Sequence, residues 1–88
     1  VGEAPVYVSY DIDFVDPAFA PGTGTPEIGG PNSFQAQQVV RGLAGLDIAG
    51  ADLVEVSPPF DTSGNTALVG ATLMFEILCV VVQSLSRR

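Results

Sequence analysis

The chain has 88 residues, 47% of them hydrophobic, and its ten acidic residues against three basic ones give a net charge of −7. This acidic balance argues against nucleic-acid binding, which needs a basic face, and a chain of this size forms at most one small domain with a marginal core. We therefore interpret residues 1–88 as a single, incomplete domain that buries its apolar surface against a larger body.

Two features bear on the compartment. The single cysteine, Cys79, excludes an internal disulfide and fits a reducing compartment, so we expect a cytoplasmic protein. The apolar run at residues 67–82 is short for a membrane span and contains Glu76. A buried helix is therefore the better interpretation, and no membrane partner is expected.

The first half of the chain predicts a strand, a loop and a helix. Residues 5–13 are rich in β-branched and aromatic side chains and predict a strand. Residues 16–31 contain four prolines and four glycines and predict an irregular loop. Asn32 and Gln35 form a capping-box pattern before apolar residues at helical spacing, and Gly45 is the expected helix stop.

The second half repeats the strand–helix order. Residues 51–57 predict a strand that Pro58 ends, and residues 66–85 predict a long helix with one narrow polar stripe, covered on most sides. The order strand, helix, strand, helix indicates parallel strands in a layered α/β domain. Two strands alone make a poor sheet, and the first strand pattern begins abruptly, so we expect further strands from an upstream portion.

Two carboxylates, Asp11 and Asp13, stand at the end of the first predicted strand. Side chains alternate along a strand, so the two are expected on the same face. Such a pair is costly unless a cation lies between them, and it suits a divalent ion such as Mn²⁺. A solvated strand end, with Asp13 starting the turn, is the alternative.

A third carboxylate, Glu55, lies within an apolar strand pattern. A buried carboxylate needs a partner, and a guanidinium matches it with paired hydrogen bonds. That guanidinium could belong to a substrate or to a structural arginine, and the residues alone leave both open. The loop before it is no phosphate loop, because its Gly22-x-Gly24 spacing lacks a third glycine and a lysine.

Together these segments resemble the ureohydrolase (arginase) superfamily, in its C-terminal portion. Its third metal signature is matched by Ser9-Tyr10-Asp11-Ile12-Asp13, Pro17, Pro21-Gly22 and Gly30. Its agmatinase and guanidinobutyrase branch is matched by Gly22-Thr23-Gly24-Thr25-Pro26-Glu27 and by Val54-Glu55-Val56-Ser57-Pro58-Pro59-Phe60-Asp61. The resemblance implies the C-terminal β-α-β-α piece of a three-layer α/β/α, arginase-like fold with a parallel sheet.

The resemblance also implies roles for individual residues. The aspartate matching Asp11 bridges two Mn²⁺ ions in this family, and the one matching Asp13 binds one of them. The glutamate matching Glu55 receives the substrate guanidinium. Asp16 would fix the loop and tune the metal ligands, which is compatible with its simpler role of capping the loop backbone. No catalytic residue is assigned within this chain.

The implied activity is hydrolysis of the guanidino group of a linear substrate, such as agmatine, 4-guanidinobutanoate or 3-guanidinopropanoate, to urea and an amine. The family's other ligands lie upstream in Gly-Gly-Asp-His and Asp-Ala-His-x-Asp segments, and this chain has no histidine. We therefore expect the chain alone to be inactive, its partners being an N-terminal portion of the same fold and further copies in a trimer or hexamer. A truncated non-catalytic homologue and a structural fragment are the alternatives.

Overall fold

The computed structural model describes residues 2–25 and 27–87. Pro26, which belongs to one of the quoted motifs, lies outside the described residues. The elements are, in chain order, β1 (Val6–Asp11), α1 (Ser33–Arg41), β2 (Ile48–Val54) and α2 (Asn65–Ser86). This order confirms the predicted strand–helix–strand–helix arrangement.

The two strands form a parallel sheet, as the element order predicts. Ser9 is opposite Asp52 and Asp11 is opposite Val54 in the register. Because parallel strands run in the same direction, this register brings the carboxyl ends of β1 and β2 to the same edge of the sheet. Ligands of open α/β sheets bind at this edge.

One face of the sheet carries the core. Tyr10 donates a hydrogen bond from its hydroxyl to the Ala36 carbonyl of α1 at 3.1 Å, and the Ser84 hydroxyl of α2 accepts one from the Ile48 amide at 2.8 Å. The fully buried large side chains are Ile12, Val15, Val40, Ile48, Thr66, Leu73 and Ser84. On the opposite face Tyr7 is 63% exposed, so the described residues supply two of the three layers.

Helix α1 begins as predicted and ends early. Asn32 accepts the Gln35 amide at 2.8 Å, and the Gln35 side chain accepts the Asn32 amide at 2.9 Å, which confirms the capping box. The predicted stop at Gly45 is wrong, because the helix ends at Arg41 and turns follow it. Gly45 instead adopts a left-handed φ of 100° within those turns, a conformation that glycine tolerates without strain.

Both strands differ from their predicted bounds. β1 ends at Asp11, because the Asp11 carboxylate accepts the Asp13 amide and starts a 3-10 turn, Ile12–Phe14. β2 begins and ends three residues before the predicted 51–57. It ends where Glu55 takes a φ of 72°, a left-handed conformation that cannot continue a pleated strand.

Helix α2 lies within one residue of its predicted bounds. The residues of its buried stripe recur every three or four positions: Thr66, Gly70, Leu73, Ile77, Val80 and Ser84. By length and hydropathy alone α2 would pass for a membrane span, but Glu76 at its middle forms a bidentate ion pair with Arg41 of α1. The expectation of cover on most sides is wrong within the described residues, where Phe75 and Leu78 are exposed, because β2 and α1, the main elements in contact with the helix, lie along its buried stripe.

Candidate functional site

The site begins with Asp11 and Asp13 at the carboxyl end of β1. Asp13 does not lie on the strand, so the alternation argument for its direction is wrong. A local turn brings the two together instead: the Asp13 amide donates to Asp11 Oδ1 at 3.1 Å. Both side chains are half-buried. The pairing that the sequence predicts is therefore present, by turn geometry rather than by strand alternation.

The electrostatics of this pair favour a bound cation. Partial burial raises the pKa of the Asp11 carboxyl, the Asp13 amide lowers it, and the neighbouring Asp13 carboxylate raises it further, with a raised pKa as the outcome. A carboxylate beside a like charge is destabilised, and a divalent cation between the two reverses that effect. Two hard oxygen donors of this kind suit Mn²⁺.

The pair is only part of a metal site. Within residues 2–25 and 27–87, no group of three or more His, Cys, Asp or Glu side chains is placed to hold an ion. Apart from Thr25, no described residue outside the pair is hydrogen-bonded to either carboxylate. These residues therefore fit manganese as two ligands of a larger set.

Asp13 is held by a residue that sequence reasoning did not single out. The Thr25 hydroxyl donates to Asp13 Oδ2 at 2.6 Å, across twelve residues of the loop. A hydrogen bond of this kind orients a carboxylate ligand and leaves its other oxygen available. Thr25 lies within the quoted Gly22–Glu27 motif, but its spacing from Asp13 gives no sign of a contact.

Asp16 closes the proline-rich loop. Its Oδ1 accepts the Ala18 amide at 2.9 Å and its Oδ2 accepts the Gly29 amide at 3.1 Å. Its own amide donates to the Pro31 carbonyl at 2.9 Å. Both carboxylate oxygens of Asp16 are thus engaged by loop amides rather than by Asp11 or Asp13. The geometry matches the loop-capping role, and any influence on the two aspartates passes through the loop.

Glu55 follows β2 immediately and stands at the same edge as the aspartate pair, since Val54 is opposite Asp11. The premise that Glu55 is a buried charge is wrong, because its left-handed φ ends the strand and its side chain is exposed. No described residue forms a hydrogen bond or ion pair with that side chain. A non-glycine residue in this conformation is uncommon, costs about 1–3 kcal/mol, and clusters at functional sites.

The loop and the end of β2 meet at a junction formed by Gly22, Ser57, Asp61 and Thr66. The Gly22 amide donates to Thr66 Oγ1 at 2.7 Å, and the Gly22 carbonyl accepts the Ser57 amide at 2.7 Å. Asp61 caps α2 by accepting the Thr66 amide at 3.0 Å. Gly22, Ser57 and Asp61 belong to the motifs quoted from the sequence, but nothing in those motifs predicts that they meet. The sequence feature that could have predicted the helix cap is an aspartate shortly before the start of a helix.

Comparison with known proteins supplies the family. A sequence model described as the arginase family matches residues 1–80. The chain is 70% identical over 87 residues to a guanidinopropionase of Pseudomonas aeruginosa, covering 99% of this chain and 27% of that protein. It is 64% identical over 81 residues to a guanidinobutyrase of the same organism, covering 92% of this chain and 25% of that protein.

The fold agrees with these relatives. The chain superposes on a hypothetical agmatinase from Burkholderia thailandensis with a TM-score of 0.92 and 49% identity, covering all of this chain and 28% of that one. It therefore shares the arginase-like α/β fold that the sequence predicts. The chain spans about a quarter of the length of the curated relatives it matches.

Proposed function

The chain belongs to the arginase family, and we propose that it forms part of a manganese-dependent hydrolase that cleaves the guanidino group of a linear substrate to urea and an amine. Asp11 and Asp13 hold manganese together with ligands outside the described residues. Glu55 binds the guanidinium. The proposed substrates are agmatine, 4-guanidinobutanoate and 3-guanidinopropanoate.

The residues divide the chemistry between them. When bound, manganese supplies the Lewis acidity that makes water a nucleophile near neutral pH. Asp11 and Asp13 fix the position of that chemistry, and Thr25 fixes Asp13 through its 2.6 Å hydrogen bond. Glu55 pairs with the cationic guanidinium and orients its carbon toward the water. The water oxygen forms a C–O bond to that carbon, a proton of the water is transferred to the amine nitrogen, and the C–N bond breaks to give urea and the amine.

One observation carries this proposal. The parallel register places Asp11 opposite Val54, so Glu55 and the aspartate pair share one edge of the sheet although 44 and 42 residues separate them in sequence. A cation at the pair and a guanidinium at Glu55 would therefore be neighbours. The names of the two Pseudomonas relatives, a guanidinopropionase and a guanidinobutyrase, support the same substrate class.

The test uses a complete enzyme. In the grafted enzyme, this chain replaces the 87 matched residues of the Pseudomonas aeruginosa guanidinopropionase. With Mn²⁺ we expect it to release urea from 3-guanidinopropanoate, and we expect Asp11→Asn to abolish that release. Glu3→Gln is the matched control, because Glu3 is an exposed carboxylate before the opposite end of β1.

Two outcomes contradict the proposal. One is a folded grafted enzyme that binds Mn²⁺ but releases no urea from any of the three substrates. The other is urea release that survives Asp11→Asn at the level of the Glu3→Gln control. The assembly into a trimer or hexamer and the cytoplasmic location stay predictions.

A further inference from the structure

We infer that Thr66 is a positioning residue of the proposed site, because its buried hydroxyl sets the spacing between the metal-binding aspartates and Glu55. The inference rests on the proposed function and extends it to a residue on α2. Thr66 contacts neither the aspartates nor Glu55, and acts through Gly22.

The backbone of Gly22 joins the two halves of the site. Its amide is bonded to Thr66 Oγ1 at the start of α2, and its carbonyl is bonded to the amide of Ser57, two residues after Glu55. Three residues beyond Gly22, Thr25 is bonded to Asp13. A single residue, Gly22, therefore connects the loop that orients Asp13 with the segment that carries Glu55.

The junction is tightly packed and excludes any other residue at position 22. A Cβ on Gly22 would lie 2.5 Å from Asp61 Cβ and 2.9 Å from both Asp61 Cγ and Thr66 Cβ. Gly22 and Thr66 are both buried, Thr66 completely. Because water cannot replace the bond, the Gly22 amide depends on Thr66 for its partner.

Asp61 holds Thr66 in turn. Its Oδ1 accepts the Thr66 amide at 3.0 Å and its Oδ2 accepts the Ala67 amide at 2.9 Å. Partial burial works against the charge of Asp61, but hydrogen bonds from these amides and from the Thr66 side chain outweigh it and lower the pKa of the carboxyl. The start of α2 is thereby fixed as the point to which the loop is attached.

The experiment compares Thr66→Val and Thr66→Ser in the grafted enzyme. Valine keeps the shape and removes the hydroxyl, whereas serine keeps the hydroxyl. Thr72→Val is the matched control, since Thr72 lies on the exposed face of the same helix and bonds only to the Leu68 carbonyl. We expect Thr66→Val to lower kcat by roughly 10- to 100-fold per folded molecule, because small misplacements of reacting groups have effects of this size.

Two further readouts separate positioning from stability. We expect Thr66→Val to keep its bound manganese, and we expect faster amide hydrogen exchange at residues 22–25 of the metal-free protein. Thr66→Ser restores both kcat and protection, and Thr72→Val changes neither. If Thr66→Val does not fold, Asp61→Asn, which loses one acceptor of the cap, is expected to show the same pattern with a smaller fall in kcat.

A purely structural effect overturns the inference. In that case Thr66→Val, or Asp61→Asn in its place, lowers the melting temperature, but its kcat per folded molecule and its amide exchange at residues 22–25 match those of Thr72→Val. A grafted enzyme that folds but releases no urea contradicts the proposed function instead. In that case hydrogen exchange still decides the inference: unchanged exchange overturns it, and faster exchange that serine restores supports the attachment of the loop to Thr66.

Discussion

Substitutions of Glu55 can distinguish an effect on activity from an effect on stability, because three different replacements change the charge, the side chain and the backbone strain separately. Glu55→Gln keeps the shape and removes the charge. Glu55→Ala removes the carboxylate and keeps a Cβ at the left-handed φ of 72°, and Glu55→Gly removes both. All three are made in the grafted enzyme.

The effect on activity follows from the proposed pairing with guanidinium. A hydrogen bond to a charged group contributes about 1.5–3 kcal/mol, which corresponds to about one to two powers of ten in kcat/KM. We expect a loss of this size for Glu55→Gln and at least this size for Glu55→Ala and Glu55→Gly. Steady-state urea release with 3-guanidinopropanoate measures it.

The effect on stability follows from the backbone. Glu55 has no partner among the described residues, so Glu55→Gln leaves nothing unpaired and should change stability by no more than about 0.5 kcal/mol. A side chain in the left-handed region costs about 1–2 kcal/mol, and the greater freedom of unfolded glycine offsets about 0.5–1 kcal/mol of that. The variant with glycine at position 55 should therefore be more stable than the variant with alanine by up to about 1.5 kcal/mol, the reverse of the order usual within strands and helices.

Melting temperatures of the three variants, measured beside the kinetics, test this reasoning. A large fall in melting temperature for Glu55→Gln, with kcat/KM per folded molecule unchanged, would show that Glu55 pairs with a structural arginine. A higher melting temperature for Glu55→Ala than for Glu55→Gly would show that the left-handed backbone does not determine stability at this position.

Three further predictions concern metal, the isolated chain and pH. Asp11→Ala should lose more bound Mn²⁺ than Asp13→Ala by elemental analysis, because the resemblance implies that Asp11 would bridge two ions and Asp13 would bind one. Equal losses would contradict the assigned roles. The 88-residue chain alone with Mn²⁺ should release no urea, and turnover that Asp11→Ala abolishes would contradict this. The hydrogen bond that Glu76 accepts from Arg41 lowers the pKa of the Glu76 carboxyl. The ion pair therefore stabilises the fold fully at pH values above the ordinary glutamate pKa of about 4.3. This stabilisation is lost as pH falls through the lowered pKa. Glu76→Gln should therefore lower the melting temperature of the grafted enzyme at pH 7, and the gap to the parent should close as pH falls through the lowered pKa of Glu76. A gap independent of pH would contradict the ion pair.

The sequence predicts features that depend on neighbouring residues. The capping box of Asn32 and Gln35 is one example, because its donors and acceptors lie within a single turn. The bounds of α2 are another, since its mostly apolar run is long and contains no proline. The parallel pairing of the strands follows from element order alone.

Features that depend on distant contacts or on backbone strain are not visible in the sequence. The left-handed conformation of Glu55 ends β2 at Val54, three residues before the predicted end, and no residue type around it signals a positive φ. The Asx-type turn at Asp11 moves Asp13 off the strand, a competition between side-chain and ladder hydrogen bonds that period-two alternation ignores. The bond between Gly22 and Thr66 spans 44 residues, so only the folded chain reveals it.

Anomalous diffraction at the manganese absorption edge, from crystals of the grafted enzyme grown with Mn²⁺, tests the central claim most directly. We expect two anomalous peaks at the carboxyl edge of the sheet, with the Asp11 carboxylate between them and the Asp13 carboxylate in contact with one. Manganese peaks remote from both aspartates would contradict it, as would a manganese-free aspartate pair in an enzyme that releases urea.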